Sequence, residues 1–345
     1  VESGTPVLNV KNLGYSTVVT TKVDYVGEKT LERLSMHILK EGDIVFGRKG
    51  AVDRHAYIGA NEAGWMQGSD CIRLRVKTNK INPRYLSYYF LTPKHKAFMI
   101  SMCSHGTTMA SLNQGILSKI EIDLPERCIQ DRIVSIIAVL DKKRKTNEKL
   151  NKNLEQQAQA IYSRMFIEHR QESWSTGQLS DLISVKYGKD HKKLADGNYP
   201  VYGSGGRMRY VEKPLYTGES VLIPRKGTLN NIMYVNEAFW SVDTMFYTEM
   251  LRPNIAKFVY HFVKSKDLAS LNAGSAVPSM TTNILNAMQL YIPDEKTLEK
   301  FENIVSPMYS AMQENTKESK ILANTRDALL PKLMSGELDV SDIDL

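Results

Sequence analysis

The stretch FGRKGAVDRHAYI, residues 46–58, returns 177 positions later as IPRKGTLNNIMYV, residues 223–235. Both copies keep RKG and the apolar ends, and both change the polar residues between them. Each reads as a strand ending in a turn, where Gly50 or Gly227 supplies a backbone shape that other residues resist.

The echo continues outward. Trp65 and Asp70 are answered by Trp240 and Asp243, and Pro83-Arg84-Tyr85 by Pro253-Asn254-Ile255, each opening an aromatic-rich helix candidate. From Gly106 to Phe166 one offset of 168 holds: Gly106-Thr107 with Gly274-Ser275, Ser111 with Ser279, Ile116-Leu117 with Ile284-Leu285, Pro125 with Pro293. Upstream, Gly4-Thr5-Pro6-Val7 resembles Gly197-Asn198-Tyr199-Pro200-Val201, but nothing answers Ser173 to Asp196, so the first copy lacks its opening element or the sequence begins inside it. A period this long means two similar domains in series, since solenoid units run about 20 to 50 residues.

Each copy divides in two. Residues 1–125 and 173–293 are rich in Gly, Pro and short β-type runs such as 43–46, 72–76, 220–223 and 289–292, and read as compact α+β modules. Beyond the closing proline the spacing becomes helical. Ile129, Ile133, Ile136, Leu140, Lys143, Asn147, Leu150, Leu154, Gln157 and Ile161 fall at alternating steps of four and three. So do Leu298, Phe301, Val305, Met308, Met312, Asn315, Ser319, Leu322, Arg326, Leu329 and Leu333. This is the heptad of a coiled coil, with polar members that serve as register markers when two helices pair. At about 1.5 Å per residue, a helix from Ile129 to Phe166 is roughly 57 Å long. The plainer alternative is two amphipathic helices, each packed on its own module. Pro307 removes a backbone bond, so the second helix is expected to bend there or to start after it.

The bulk numbers fit this plan. The chain has 345 residues, 42% apolar and 24% charged, with no apolar run of membrane length, so two folded domains are expected. Cys71, Cys103 and Cys128 are odd in number and far apart, which argues against a disulfide scaffold or zinc site and fits a reducing cytoplasm. Forty-five basic against thirty-eight acidic residues give +7, compatible with a polyanionic partner. No P-loop, H-E-x-x-H, methyltransferase loop or clustered metal ligands are present, and Glu318-Ser319-Lys320, which looks like a nuclease E-x-K, lies at helical spacing.

Within matching segments, the differing polar residues are the candidates for reading DNA: Arg suits guanine edges, Asn adenine edges, and Lys phosphate. In the first module these are Lys11, Asn12, Arg48, Lys49, Arg54 and His55, with Ser104, His105, Thr107, Thr108 and Asn113 around Gly106. In the second they are Ser204, Arg207, Arg209, Arg225, Lys226, Asn230 and Asn231, with Ser275 and Thr281. Any of them can equally be a solvated loop residue, and the stretch 203–207 (GSGGR) is either a phosphate-binding nest or a plain turn.

The chain resembles the specificity subunits of type I restriction-modification systems over almost its whole length. The resemblance rests on Leu124-Pro125 leading into Gln130-Asp131-Arg132-Ile133-Val134, on Leu140-Asp141-Lys142-Lys143, on Asn151-Lys152-Asn153-Leu154-Glu155, on residues 157–166, and on residues 329–337 (LLPKLMSGE). It implies an α+β protein with a pseudo-twofold internal repeat, in which two similar target-recognition domains, 1–125 and 173–293, alternate with two helical spacers, 126–172 and 294–345. The spacers are expected to form an antiparallel coiled coil that sets the distance between the domains. The shortened first domain and Pro307 depart from the pattern. The resemblance further implies a non-catalytic reader of an asymmetric, bipartite double-stranded DNA target, with no cofactor of its own. Two modification subunits would bring S-adenosylmethionine and flip an adenine out for methylation, and restriction subunits using ATP and Mg would join them. The rivals are a scaffold with two protein-binding modules on a coiled coil, and a single-chain methyltransferase or nuclease. Salt-dependent duplex binding separates the first from a DNA reader, and cofactor binding by the isolated chain would mark the second.

Overall fold

The computed structural model describes residues 2–103, 110–271 and 278–341. The chain forms two compact units, residues 1–147 with 316–345, and residues 148–315. Each holds one of the repeated modules together with part of each long helix.

In the first unit the strands are β1 (Thr5–Leu8), β2 (Asp24–Val26), β3 (Ile44–Gly47), β4 (His55–Tyr57), β5 (Met66–Gln67) and β6 (Cys71–Leu74). They make two three-stranded sheets, ordered β2-β1-β5 and β4-β3-β6. All four residues of β3 are buried. The helices are α1 (Glu28–Arg33), α2 (Pro83–Tyr89), α3 (Pro93–Cys103), the one-turn α4 (Gln114–Leu117) and the start of α5 (Arg127–Tyr162). The β-run expected over 72–76 ends at Leu74, which pairs with Ile44, the first residue of β3; just beyond, the Arg75 guanidinium grips the buried Asp43 carboxylate at 2.6 Å.

In the second unit β7 (Ser175–Gln178) pairs with β14 (Gln289–Ile292), and six strands form one sheet: β8 (Ile183–Tyr187), β9 (Tyr199–Gly203), β10 (Gly206–Val211), β11 (Tyr216–Pro224), β12 (Met233–Ser241) and β13 (Met245–Met250). Its order is β10-β9-β12-β11-β13-β8. The central trio β12-β11-β13 repeats β4-β3-β6, as the RKG alignment requires. Helices α6 (Ala256–Lys264), α7 (Thr282–Asn286) and α8 (Glu295–Ser335) follow. By the offset of 168, residues 121–124 correspond to β14, yet they form no strand, and among the described residues no counterpart of β7 lies beside them.

The long helices run antiparallel wherever they meet. In the first unit Asn147 donates to Glu318 at 2.7 Å, and Arg326 reaches back to Asp141 at 3.2 Å. In the second, Asn151 donates to the Met312 carbonyl at 3.1 Å, and Asn315 donates to Asn151 at 2.8 Å. Asn147 and Asn315 are themselves related by the offset of 168, so the repeat places the same polar marker in both pairings. Glu318-Ser319-Lys320 thus lies along this pairing, with Glu318 holding Asn147 and Lys143.

Both helices are also packed on their modules. Ile133 and Ile137 of α5, with Leu330 and Leu333 of α8, bury against Tyr85, Tyr88 and Leu91. Ala158 and Tyr162, with Phe301, Val305 and Tyr309, bury against Phe258, Tyr260 and Phe262. Pairing and packing on modules therefore coexist. The expectation that the second helix starts after Pro307 is corrected: α8 is a single helix from Glu295 to Ser335, passing through the proline, which lies on the exposed side. There the one lost backbone donor leaves a carbonyl that water can reach. A wider π-type turn, Ser163–Glu168, ends the α5 rod. Among the described residues, no helix is long and apolar enough to cross a membrane.

Candidate nucleic-acid interface

The repeated RKG segment is a turn whose backbone is pinned identically in both units. In the first, Arg48 N donates to Asp70 O (2.8 Å), Leu112 N to Arg48 O (2.8 Å) and Gly50 N to Ala110 O (3.0 Å). In the second, Arg225 N donates to Thr244 O (2.8 Å), Met280 N to Arg225 O (2.9 Å) and Gly227 N to Pro278 O (3.2 Å). Gly50 and Gly227 have φ of +76° and +88°, the left-handed region where a side chain is strained. These bonds engage both backbone groups of the arginine and the N–H of the glycine, which fixes the shape of the turn and the directions in which its side chains leave it. Arg48, Lys49 and Lys226 are exposed and Arg225 is half-buried.

Beside each turn starts a short helix capped by a candidate. Asn113 accepts from Ile116 N at 3.0 Å to open α4, and Thr281 accepts from Ile284 N at 3.3 Å to open α7. Capping alone accounts for a short polar residue at these two places.

In the first unit, Arg48 and Asn113 line a cleft of about 920 Å³ together with His37, Gln67, Ser69 and Gln114. Its far wall is held by Arg73, which donates to the Met36 and Ile38 carbonyls at 3.0 and 3.2 Å. Gln67 spends its amide nitrogen on Cys71 O (2.8 Å) and keeps its oxygen as an acceptor. A second cationic patch lies on Tyr15, which is 43% exposed: Lys96 is 4.7 Å and Arg54 5.7 Å from the ring centroid, and the phenol donates to Asp53 at 3.1 Å. Lys11 is exposed and paired with Asp24 at 2.7 Å.

Two candidates are corrected. His55 is buried, its Nε2 2.9 Å from Ser87 Oγ, which lies 2.6 Å from Ser16 Oγ; burial holds its pKa down at about 3, so the ring is neutral. Asn12 is buried, with its amide donating to Val19 O at 2.9 Å and its oxygen accepting from Asn9 N. Both side chains are enclosed and hold loops in place, so neither can touch DNA without unfolding its surroundings.

In the second unit the stretch 203–207 is a tight hairpin turn: β9 and β10 pair Gly203 with Gly206, leaving Ser204 and Gly205 at the tip. Asn231 donates to Ser204 O at 2.8 Å, tying that tip to the segment after the RKG turn. Asn230 donates to Asp267 at 2.8 Å and accepts from Ala269 N at 3.0 Å. Arg209 donates to Leu194 O at 2.5 Å, so it anchors the loop before β9. Lys226 and Arg207 project outward, with Arg207 5.5 Å over the Tyr210 ring. Arg225 lies 5.4 Å over Tyr187, an exposed aromatic, and donates to Asp243 O at 3.0 Å.

Ser104, His105, Thr107, Thr108 and Ser275 lie outside the described residues. His37, Gln67, Ser69 and Gln114 were missed from sequence. Of these, Gln114 had a signal, because it is matched with Thr282 at a differing polar position. Among the described residues no group of His, Cys, Asp or Glu could hold a metal ion.

A profile of the type I restriction modification DNA specificity domain matches the chain twice, over residues 4–156 and 171–322. The chain is 20% identical to the type I restriction enzyme MjaIX specificity subunit of Methanocaldococcus jannaschii, over 92% of this chain and 82% of that one. It is 22% identical to the MjaX specificity subunit of the same organism, over 98% of this chain and 88% of that one. The solved S subunit of the type I restriction-modification system of M. genitalium shares the fold, with a TM-score of 0.56 at 18% identity over 96% of this chain and 89% of that one. With its two matched spans covering most of its length, the chain belongs to the type I restriction-modification specificity family and carries the target-recognition domain twice.

Proposed function

We propose that this specificity subunit reads an asymmetric, bipartite target in double-stranded DNA, one half-site per module, and lends that recognition to enzymes it binds. The observation that carries the reading is the pair of RKG turns. Their backbones are fixed by the same three hydrogen bonds, while the side chains around them differ. A shared frame with unlike polar surfaces suits two readers of two different sequences. The first module offers Arg48 and the cleft amides, and the second offers Arg207, Lys226 and Arg225 beside Tyr187. The net charge of +7 supports a polyanionic ligand.

On this reading the chemistry belongs to partners in the cytoplasm. Two modification subunits carry S-adenosylmethionine and methylate an adenine in each half-site, and restriction subunits with ATP and Mg join the assembly. Binding to duplexes altered in one half-site at a time tests the proposal. Arg48→Ala weakens recognition of one half-site by about 1 to 3 kcal/mol and leaves the other unchanged. Lys226→Ala weakens all sequences alike and lowers the salt slope by about one. Equal losses on every duplex for Arg48→Ala would make it a phosphate contact and remove the base-reading role.

A further inference from the structure

The second module carries a basic loop that comparison of the repeats cannot select, because nothing in the first copy answers residues 173–196. It runs from Gly188 to Leu194, between β8 and β9, and sets Lys189, Lys192 and Lys193 against one carboxylate, Asp190. All three lysines are exposed, and among the described residues none makes an ion pair. Just upstream, Lys186 does pair, with Glu249 at 3.6 Å. Asp190 accepts from Lys192 N at 3.1 Å, so its carboxylate is engaged by the backbone of the loop itself.

The loop is nevertheless fixed at both ends. Gly188 N donates to Met245 O at 3.0 Å and Lys189 N to Ser241 O at 2.8 Å. The buried Trp240 donates from its indole to Lys189 O at 2.8 Å. A Cβ on Gly188 would meet Val242 O at 2.0 Å, so glycine is what permits this approach. At the far end the Arg209 guanidinium donates to His191 O at 3.4 Å and to Leu194 O at 2.5 Å. Free ammonium groups thus stand on a backbone ordered in advance, which lowers the cost of engaging them.

The same short segment that holds this loop also holds the RKG turn. Arg225 N donates to Thr244 O at 2.8 Å, and the Arg225 guanidinium to Asp243 O at 3.0 Å. Lys189 and Lys226 therefore follow the ends of β8 and β11, with β13 between those two strands.

We infer that the loop 188–194 is a preorganised clamp for the DNA phosphates that flank the second half-site, and that Arg209 is the residue that positions it. This deepens the functional reading above and rests on it. An ammonium is a point charge suited to phosphate, and phosphate contacts set register and orientation while base contacts specify. The loop lies beside the turn assigned to the bases, so the clamp and the reader work on neighbouring stretches of one duplex. Lys189, Lys192 and Lys193 supply affinity and leave discrimination to the RKG turn.

The test titrates the full chain with a duplex bearing its mapped target, and with the same duplex altered in the second half-site, across a range of salt. Changing Lys189, Lys192 and Lys193 together to Ala lowers the salt slope by roughly 2 to 3. Both duplexes weaken by the same factor, so the ratio between them stays unchanged. Arg209→Ala keeps the three lysines and weakens both duplexes; added to it, the three lysine changes cost less than they do in the parent. Neutral methylphosphonate linkages, placed one at a time, locate the clamp: those that weaken the parent but not the lysine variant fall beside the second half-site. A salt slope that survives loss of all three lysines would overturn the inference and leave the loop to an acidic protein partner. Loss confined to the intact target would overturn it too, by making the lysines base readers, and so would sensitive linkages beside the first half-site. A parent that discriminates between the duplexes while its lysine variant binds as before sinks the clamp alone. A parent with no preference between them sinks the functional reading as well.

Discussion

His55 shows how residue type misleads without burial. Its twin at the repeat is Ile232, buried in the second unit, so the apolar partner already signalled an interior position. Asn12 gave no such signal, because its amide is consumed by carbonyls that only the folded chain brings near. Arg48 and Lys49 were legible because a turn held by its backbone must send long side chains to solvent. Buried histidines also make a prediction about acid. His261 lies between Gln159 (2.7 Å) and Tyr309 (2.9 Å), and burial lowers its pKa to about 4. Its proton is bound by the unfolded chain below a pH of about 6.5 and refused by the folded one until about 4, so stability falls as pH drops through that window. The slope is about 1.4 kcal/mol per pH unit for one proton. Urea titrations from pH 7.5 to 4.5 should show His261→Gln with a shallower slope by about one proton; an unchanged slope would mean the ring is charged in the fold.

Among the elements, α8 was the more readable helix: every position assigned to its seam, from Leu298 to Leu333, is buried or half-buried. In α5 the assignment slips. Lys143, Leu150 and Gln157 are exposed, while Ala158 and Tyr162 take the buried places expected for Gln157 and Ile161. A 3.6-residue helix drifts about 20° per heptad from a strict seven-residue pattern, and α5 follows the drift toward the aromatic core of its module. Sequence spacing could not show that core, which is assembled from α6 and α8 across more than 90 residues of chain. The same helix position is also handled differently in the two units. Ser87 of α2 joins His55 and Ser16, whereas Lys257 of α6 is buried between Glu219 at 2.9 Å and Glu302 at 2.5 Å. Removing one member of a buried ionic cluster leaves the rest unpaired, so Lys257→Met should cost about 3 to 5 kcal/mol. Chemical unfolding checks this. Adding Glu219→Gln and Glu302→Gln should recover part of the loss, and a single variant as stable as the parent would show that the cluster is not desolvated.

For the whole molecule, the duplication made the plan visible before any coordinates: two α+β modules, two long helices and polar markers at matching places. Hidden from sequence were the merging of each module with stretches of both helices into one unit, and the cleft wall supplied by residues around His37. Both depend on contacts between distant segments that no local pattern encodes. The central claim is that each module reads its own half-site independently. Replacing residues 173–293 with the matching segment of a relative of different specificity, then mapping methylated adenines in cells carrying the exchanged chain, tests that claim directly. The account predicts that one half of the methylated motif changes while the other half stays the same; a motif that changes in both halves, or in neither, would contradict it.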